Sequence, residues 1–131
     1  MLVLSNLLYV LYIRLTHKDN QKISAFSASE KRATQYLAKK GHNVVLRLPV
    51  NIQGVRTSDL LVDGIPYDVY TPKTINPNRI ISAIAKKNSQ AQGIVLDLTE
   101  TEVTISQLGN VLERVQGAGA TNIHDIIIIG K

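Results

Sequence analysis

The stretch from Ser58 to Thr71 constrains the fold of this chain more than any other part of it. At its centre, Asp63-Gly64 is a dipeptide that accepts positive φ at both central positions of a two-residue turn, and apolar or β-branched residues flank it. We therefore predict a β-hairpin whose register is set by the turn. The opposed pairs are Val62 and Ile65, Leu61 and Pro66, Leu60 and Tyr67, and Asp59 and Asp68.

This register places two carboxylates, Asp59 and Asp68, directly opposite each other. Like charges opposed across a sheet are destabilising, by about 3 kcal/mol at about 5 Å and an effective dielectric of about 20. A divalent cation held between them, or a shared proton, would offset that cost. The alternative is a turn of slightly different length that staggers the aspartates on a solvated face, and Pro66 is compatible with it because proline removes a ladder donor.

Composition limits what else the chain can be. A length of 131 residues, with 44% hydrophobic and 19% charged residues, is typical of one globular domain and excludes a disordered tail. Cysteine is absent, which excludes disulfides and thiolate metal sites. Any metal must then have oxygen or imidazole ligands, and the oxygen ligands favour Mg²⁺ or Mn²⁺, with Zn²⁺ as an alternative.

The positive charge is unevenly distributed along the chain. The net charge is +5, and residues 1–90 hold thirteen of the fifteen Lys and Arg residues against five of the ten acids. A basic surface around a small acidic pocket suits a polyanionic substrate, whose phosphates contact Lys and Arg. Solubility alone is the other explanation of a basic composition.

The N-terminal segment is apolar and has leucines at helical spacing. We predict a helix over residues 1–15, a linker from Thr16 to Lys22, and a domain boundary between residues 1–22 and 23–131. Thirteen residues before Arg14 are too few for an ordinary membrane span, so we expect no stable membrane insertion of this domain.

A capping box predicts the first helix of the domain. Ser27 has the N-cap position and Glu30 the N3 position of a helix running to about Lys40, with Gly41 at its C-terminal stop. Glu30 shares the helix face of Ala33 and Leu37, so we expect it to face the sheet. A purely capping role for this glutamate is the alternative.

A second helix begins at Asn76-Pro77, where asparagine caps and proline takes the first helical position. Its apolar stripe contains Ile80 and Ile84, and Lys87 continues that stripe while Lys86 is rotated off it. Either Lys87 is a stem that reaches to solvent, or its ammonium is aimed at the aspartates.

The remaining pattern completes an α/β fold. Asn43–Leu48 is predicted as a strand, followed by a loop over 49–57; Gly93–Leu98 and Ile126–Ile129 are apolar runs typical of buried strands. Thr104 and Gln107 predict a cap for one helix that continues to Val115 and ends near Gly117. The order of elements predicts a three-layer α/β fold with a central mixed sheet flanked by helices.

The order of chemical groups resembles that of PD-(D/E)xK nucleases. A glutamate on the first helix, an aspartate at the start of a hairpin, a second acid nine residues later and a lysine beyond it follow one another as Glu30, Asp59, Asp68 and Lys87. Two departures stand out, since Ser58 replaces the proline and the lysine comes from the following helix.

With the lysine displaced to the helix after the hairpin, the chain resembles the C-terminal tRNase domain of CdiA-type contact-dependent growth-inhibition toxins over about residues 26–129. The motifs that match are Gly64-x-x-x-Asp68-Val69-Tyr70-Thr71-Pro72 and Lys87-x-x-Gln90-Ala91 before a strand. The resemblance implies a metal-dependent ribonuclease, exported as the C-terminal part of a larger secreted or cell-surface protein. It would cleave tRNA in the cytoplasm of a target bacterium and be neutralised by a cognate immunity protein. Whether a host factor in the target cell takes part stays open.

The resemblance also implies roles for single residues. Asp59 and Asp68 would bind the metal, Glu30 would hold it directly or through water, and Lys87 would orient the attacking water or stabilise transition-state charge. Gln90 would position Lys87 or contact RNA. Tyr70 would line the pocket or simply pack, and Thr121 would support the site from the start of the last strand.

Two other functions fit the same residues. A DNA endonuclease of this fold needs the same metal site, and a noncatalytic nucleic-acid-binding module would use the hairpin aspartates only as turn caps. Cleavage that EDTA abolishes separates catalysis from binding.

Overall fold

The structure, a computed structural model, describes residues 2–4, 27–47 and 58–130. Within these ranges the chain forms six strands and four helices. In chain order they are β1 (Leu2–Leu4), α1 (Ala28–Lys39), β2 (Val44–Leu46), β3 (Leu60–Val62), β4 (Ile65–Tyr70), α2 (Pro77–Ala85), β5 (Gly93–Asp97), α3 (Ile105–Leu108), α4 (Val111–Gly117) and β6 (Asp125–Ile129). The predicted linker and the predicted 49–57 loop lie outside the described residues.

The six strands form one mixed sheet in the order β1-β2-β3-β4-β5-β6. Pairing is antiparallel from β1 to β4 and parallel from β4 to β6. The parallel strands need crossovers, and α2 and the α3–α4 segment supply them. The sheet therefore changes from hairpin pairing to crossover pairing at β4.

The hairpin forms as predicted from its turn. Asp63 and Gly64 have φ of 50° and 84°, and Leu60 pairs with Tyr67, Leu61 with Pro66 and Val62 with Ile65. Asp63 also accepts hydrogen bonds from the Asn43 amide at 2.9 Å and contacts His42 at 2.7 Å. The turn is thus tied to the start of β2.

Two apolar clusters make the sheet the middle of three layers. One cluster packs α1 on the sheet through Ala33 and Leu37, and the other packs α2, α3 and α4 through residues such as Ile80 and Val115. The successive β5 residues Ile94 and Val95 enter opposite clusters, which is the period-two pattern of a strand buried on both faces. The predicted three-layer α/β fold is confirmed.

The helix predicted over residues 1–15 is wrong at residues 2–4, which form the edge strand β1 paired with β2. A short apolar run does not distinguish strand from helix, and the open edge of β2 supplies backbone partners that only the assembled sheet provides. The rest of that predicted helix lies outside the described residues.

The single helix predicted after Thr104 is two. α3 ends at Leu108 with Gly109 as its C-cap at a φ of 66°, and the Asn110 side chain accepts from the Glu113 amide at the start of α4. Glycine at positive φ followed by an N-cap residue interrupts the hydrogen-bond ladder although the apolar spacing continues.

None of the helices in the described ranges has the length and hydropathy needed to cross a membrane.

Candidate active site

The two hairpin aspartates meet at the open end of the hairpin, beyond the last ladder pair of Leu60 and Tyr67. The Asp59 amide donates to Asp68 Oδ1 at 3.0 Å, and the Val69 amide donates to Asp59 Oδ2 at 2.9 Å. Each carboxylate therefore accepts a backbone amide of the opposite strand. These reciprocal bonds bring the side chains of Asp59 and Asp68 to the same end of the hairpin, as the register predicts.

Asp68 is the buried centre of the site, with 1% of its surface exposed. Its Oδ2 accepts from the Lys87 ammonium at 3.3 Å and from the Gln90 side-chain amide. Together with the Asp59 amide, these donors offset the burial of a carboxylate beside another carboxylate. These donors therefore offset part of the repulsion between Asp59 and Asp68 without a cation or a shared proton.

Burial raises the pKa of Asp59 above its ordinary value. The Val69 amide and the charge of Lys87 act in the opposite sense, while the negative charges of Asp68 and Glu30 add to the rise. The electrostatics therefore favour a positive group beside Asp59, because a cation would reduce the cost of ionising it.

Lys87 reaches Asp68 from just beyond α2. The helix ends at Ala85 with Lys86 as its C-cap, and the Lys87 amide bonds to the Ile84 carbonyl in the following turn. Because Ile84 is fully buried, the turn directs Lys87 to the sheet, while Lys86 is exposed. The predicted approach of the Lys87 ammonium to within a few ångströms of Asp68 is confirmed.

Glu30 is engaged as a helix cap. Its Oε1 accepts from the Ser27 amide at 3.0 Å, and the Ser27 hydroxyl accepts from the Glu30 amide at 3.1 Å. Within the described ranges, no three His, Asp or Glu side chains group closely enough to hold a metal. The structure therefore does not assemble Glu30, Asp59 and Asp68 as a three-carboxylate metal site, although Glu30 acts on the pKa of Asp59 through its charge.

The two remaining predicted residues, Tyr70 and Thr121, have no hydrogen bond to the carboxylates in the described part of the chain. Tyr70 is partly buried against the cluster under α2 and α4, where burial raises the pKa of its hydroxyl, so packing accounts for it. Thr121 is exposed in the turn before β6. Among the described residues, no hydrogen bond joins the Thr121 side chain to Asp59 or Asp68.

Sequence reasoning missed Arg47. The β2–β3 register pairs Leu46 with Leu60, and one step further the Arg47 amide donates to the Asp59 carbonyl at 3.0 Å. The Arg47 guanidinium also donates to the hydroxyl of Ser58, which is 1% exposed, and its Nε is buried without a hydrogen-bond partner in the described part of the chain. The signal that would have found Arg47 is the β2–β3 register, which no local motif gives.

Residues 56–131, more than half of the chain, match the profile of the contact-dependent growth inhibition CdiA C-terminal domain. The chain belongs to this family. The matched range includes Asp59, Asp68, Lys87 and Gln90 and begins after α1, so it leaves out Glu30.

A solved structure supports the same relationship. The chain is 26% identical to a chain of the CdiA-CT/CdiI toxin and immunity complex from Burkholderia pseudomallei, with a TM-score of 0.61, over 78% of this chain and 75% of that chain. No curated protein matches this sequence. The chain is thus a CdiA C-terminal toxin domain of contact-dependent growth inhibition.

Proposed function

We propose that this CdiA C-terminal domain is a metal-dependent ribonuclease that cleaves tRNA in target bacteria. The observation that carries the proposal is the buried Asp68 carboxylate, held by Lys87 at 3.3 Å and by Gln90 and bonded to the Asp59 amide across the hairpin. Pairs of acids with a lysine beside them are suited to hydrolysis of phosphodiesters, because they combine metal ligands with a charge-stabilising donor.

The donor set fits a hard divalent cation. Asp59 and Asp68 offer only oxygen ligands, and Mg²⁺ usually takes one or two carboxylates and fills its remaining positions with water and substrate phosphate. Asp59 and Asp68 would hold Mg²⁺ or Mn²⁺, and Glu30 would contribute through water. When bound, the cation would polarise the phosphate and lower the pKa of a bound water.

Lys87 and Gln90 have separable tasks in this proposal. The Lys87 side chain is 25% exposed, so it is in contact with solvent as well as with Asp68, and we propose that its ammonium reaches a water or a phosphate oxygen at the site. There it orients the attacking water or stabilises the negative charge that develops on phosphorus. Gln90 donates to the same Asp68 oxygen and so limits the positions that Lys87 and Asp68 can take.

The charge of the chain favours a nucleic acid substrate. The net charge is +5, and Arg47 contacts both residues that precede β3, through its guanidinium to the Ser58 hydroxyl and through its amide to the Asp59 carbonyl. Cationic side chains beside a carboxylate site bind the phosphates that flank the reacting one.

Membership in the family also supports a partner and a cellular route. The similar chain from Burkholderia pseudomallei was solved in a toxin and immunity complex, and we propose that a cognate immunity protein neutralises this domain as well. We propose that the domain is exported as the C-terminal part of a larger cell-surface or secreted protein and acts in the target-cell cytoplasm, with or without a host factor.

The test is cleavage of total tRNA by the purified chain in Mg²⁺, Mn²⁺, Zn²⁺ or EDTA, with mapping of the cut ends and duplex DNA as a parallel substrate. We expect RNA cleavage that EDTA abolishes and that Asp68→Asn lowers by about 100-fold or more. Glu102→Gln removes one exposed carboxylate away from the site and is the charge-matched control.

Preferential cleavage of duplex DNA would favour the endonuclease alternative. RNA binding without EDTA-sensitive cleavage would favour the noncatalytic binding module and contradict the proposal.

A further inference from the structure

A polar depression opens beside the site, at the N-terminal end of β5. Its volume is about 170 Å³, comparable to that of five or six water molecules at about 30 Å³ each, which suits one planar ring. The residues around it come from β4, from the turn before β5 and from the turn before β6. They are Pro66, Ser89, Gln90, Ala91, Gln92 and Asn122.

Gln90 connects this depression to the catalytic carboxylate. Its Nε2 bonds to Asp68 Oδ2, and an ionised carboxylate accepts hydrogen bonds only. The chemistry therefore fixes which end of the amide faces Asp68. The other end, the acceptor Oε1, is left for a ligand in the depression that Gln90 lines.

Asn122 is oriented by the same logic. Its Nδ2 donates to the Asn88 carbonyl at 2.9 Å and to the Ala91 carbonyl at 3.2 Å, and its backbone amide donates to Asn88 Oδ1 at 2.8 Å. Two carbonyl oxygens require the amide nitrogen on that side. The acceptor Oδ1 of Asn122 is thus the end that remains for a ligand.

We propose that this depression receives a nucleobase with an exocyclic amino group, from the RNA strand beside the reacting phosphate. The proposal rests on the proposed ribonuclease function. The oriented amides of Gln90 and Asn122 offer acceptors, and the Pro66 ring offers an apolar surface to a base face. Because Gln90 bonds to Asp68, a base seated here lies one side chain from the carboxylate that would hold the metal in the proposed site.

The donor pattern of the bases sets the expected preference. Adenine N6, cytosine N4 and guanine N2 are amino groups with two donor hydrogens, whereas uracil has no amino group and its single N3–H donor lies between two carbonyl oxygens. A carbonyl directed at an acceptor oxygen leaves both unpaired, which costs affinity. The site therefore selects against uracil.

The test is a titration of the full chain with AMP, CMP, GMP and UMP in EDTA, followed by NMR on the side-chain amides. We expect AMP, CMP and GMP to shift the Gln90 and Asn122 amide signals and to bind at least about fivefold more tightly than UMP, as for one net hydrogen bond. Ribose 5-phosphate measures what phosphate and sugar contribute alone.

A variant that fills the depression tests whether the bases bind there. Ser89→Trp places a large ring there without touching Asp68, and we expect it to remove the discrimination against UMP. Ser82→Trp, at an exposed serine on α2, should keep it. Equal binding of all four nucleotides at the level of ribose 5-phosphate would overturn the proposal, as would a preference that Ser89→Trp leaves intact.

Binding in EDTA needs neither a metal nor turnover. A domain that cleaves RNA but binds the four nucleotides equally would contradict the base site alone, and one that discriminates bases but never cleaves would contradict the ribonuclease alone.

Discussion

Asp68 illustrates how one side chain can organise a site. Its carboxylate is 1% exposed and accepts from a backbone amide on one oxygen and from an ammonium and a side-chain amide on the other. Three donors, one from the residue before β3 and two from the turn after α2, thus converge on one buried group. Removal of Lys87 would change the charge around Asp68, whereas removal of the neutral Gln90 amide would change only its hydrogen bonding.

Lys87→Ala should lower tRNA cleavage by about 100-fold or more. The ammonium at 3.3 Å from Asp68 is placed to act on the attacking water or on transition-state charge, which is worth roughly 3 kcal/mol for one preorganised donor. The measurement is the single-turnover rate, with circular dichroism to follow folding.

Lys86→Ala is the matched control for Lys87→Ala, because Lys86 is the exposed C-cap of α2. We expect it to alter RNA affinity and to leave the chemical step intact. Cleavage by Lys87→Ala at the parental rate, or activity lost only in step with helicity, would show that Lys87 is not catalytic.

Asp59→Asn should raise the stability of the fold at neutral pH and lower its cleavage activity. Burial raises the folded-state pKa of Asp59 above the unfolded value of about 3.9, so folding free energy is lost as pH rises from that value through the folded pKa. An asparagine there can still accept from the Val69 amide and carries no charge. We expect a higher Tm than the parent at pH 7, no difference well below pH 4, and cleavage lowered by about 100-fold.

Asp63→Asn is the control for Asp59→Asn, because its effect on Tm at pH 7 should have the opposite sign. Hydrogen bonds from His42 and from the Asn43 amide lower the pKa of Asp63, so its ionised form stabilises the fold at neutral pH and that contribution is lost as pH falls. Asp63→Asn should therefore lower Tm at pH 7. A lower Tm for Asp59→Asn at the same pH would contradict the electrostatic cost assigned to Asp59.

Among the elements, β5 is the most confined, because all five of its residues are buried. Its first residue, Gly93, pairs with Tyr67 in β4, whose hydroxyl donates to Asp125 Oδ2 at 2.5 Å. A Cβ at Gly93 would overlap the Tyr67 ring. The tyrosine can lie across β5 only because glycine is there.

Gly93→Ala should destabilise the domain by about 1–3 kcal/mol, the usual cost of overpacking. Urea unfolding measures it, and Gly117→Ala at the end of α4 is the control, since a Cβ there meets nothing within 4 Å. Equal stability of the two variants would contradict the packing of Tyr67 over Gly93.

Over the whole molecule, the basic first part of the chain is partly neutralised by acids from the last third. Arg32 bonds to Asp97 at 2.6 Å and to Glu100 at 2.8 Å, and Lys73 lies 3.8 Å from Glu100. The two Arg32 pairs fasten α1 to the end of β5 and to the turn after it, and Lys73 joins the segment after β4 to the same turn. Burial by itself would raise the pKa of Asp97, but hydrogen bonds from Thr99 and Arg32 outweigh it and lower that pKa.

Binding of tRNA should weaken steeply with salt. The net charge of +5 predicts release of counterions from the RNA when Lys and Arg contact its phosphates. We expect affinity in EDTA to fall by about tenfold or more between about 50 and 200 mM salt, and Lys86→Ala to flatten that slope. Affinity that does not change with salt would remove the polyphosphate interpretation of the charge.

The sequence by itself determined the features whose physics is local. A two-residue Asp63-Gly64 turn fixes the hairpin register without reference to the rest of the chain, and side-chain caps at Ser27 and Asn76 set where α1 and α2 begin. Helical spacing predicted that Lys87 continues the Ile84 stripe, and the structure places Lys87 on that side but in the turn after α2. These features were sufficient to predict that Asp59 faces Asp68 and that Lys87 approaches them.

Only the tertiary structure decided which neighbours these groups acquire. Whether Glu30 caps its helix or joins the aspartates depends on how α1 lies on the sheet, and the approach of Arg47 to Ser58 and Asp59 depends on the pairing of β2 with β3. The strand at residues 2–4 likewise depends on the open edge of β2. Each of these contacts joins segments distant in sequence, so its free energy is absent from any local pattern and appears only when the sheet assembles.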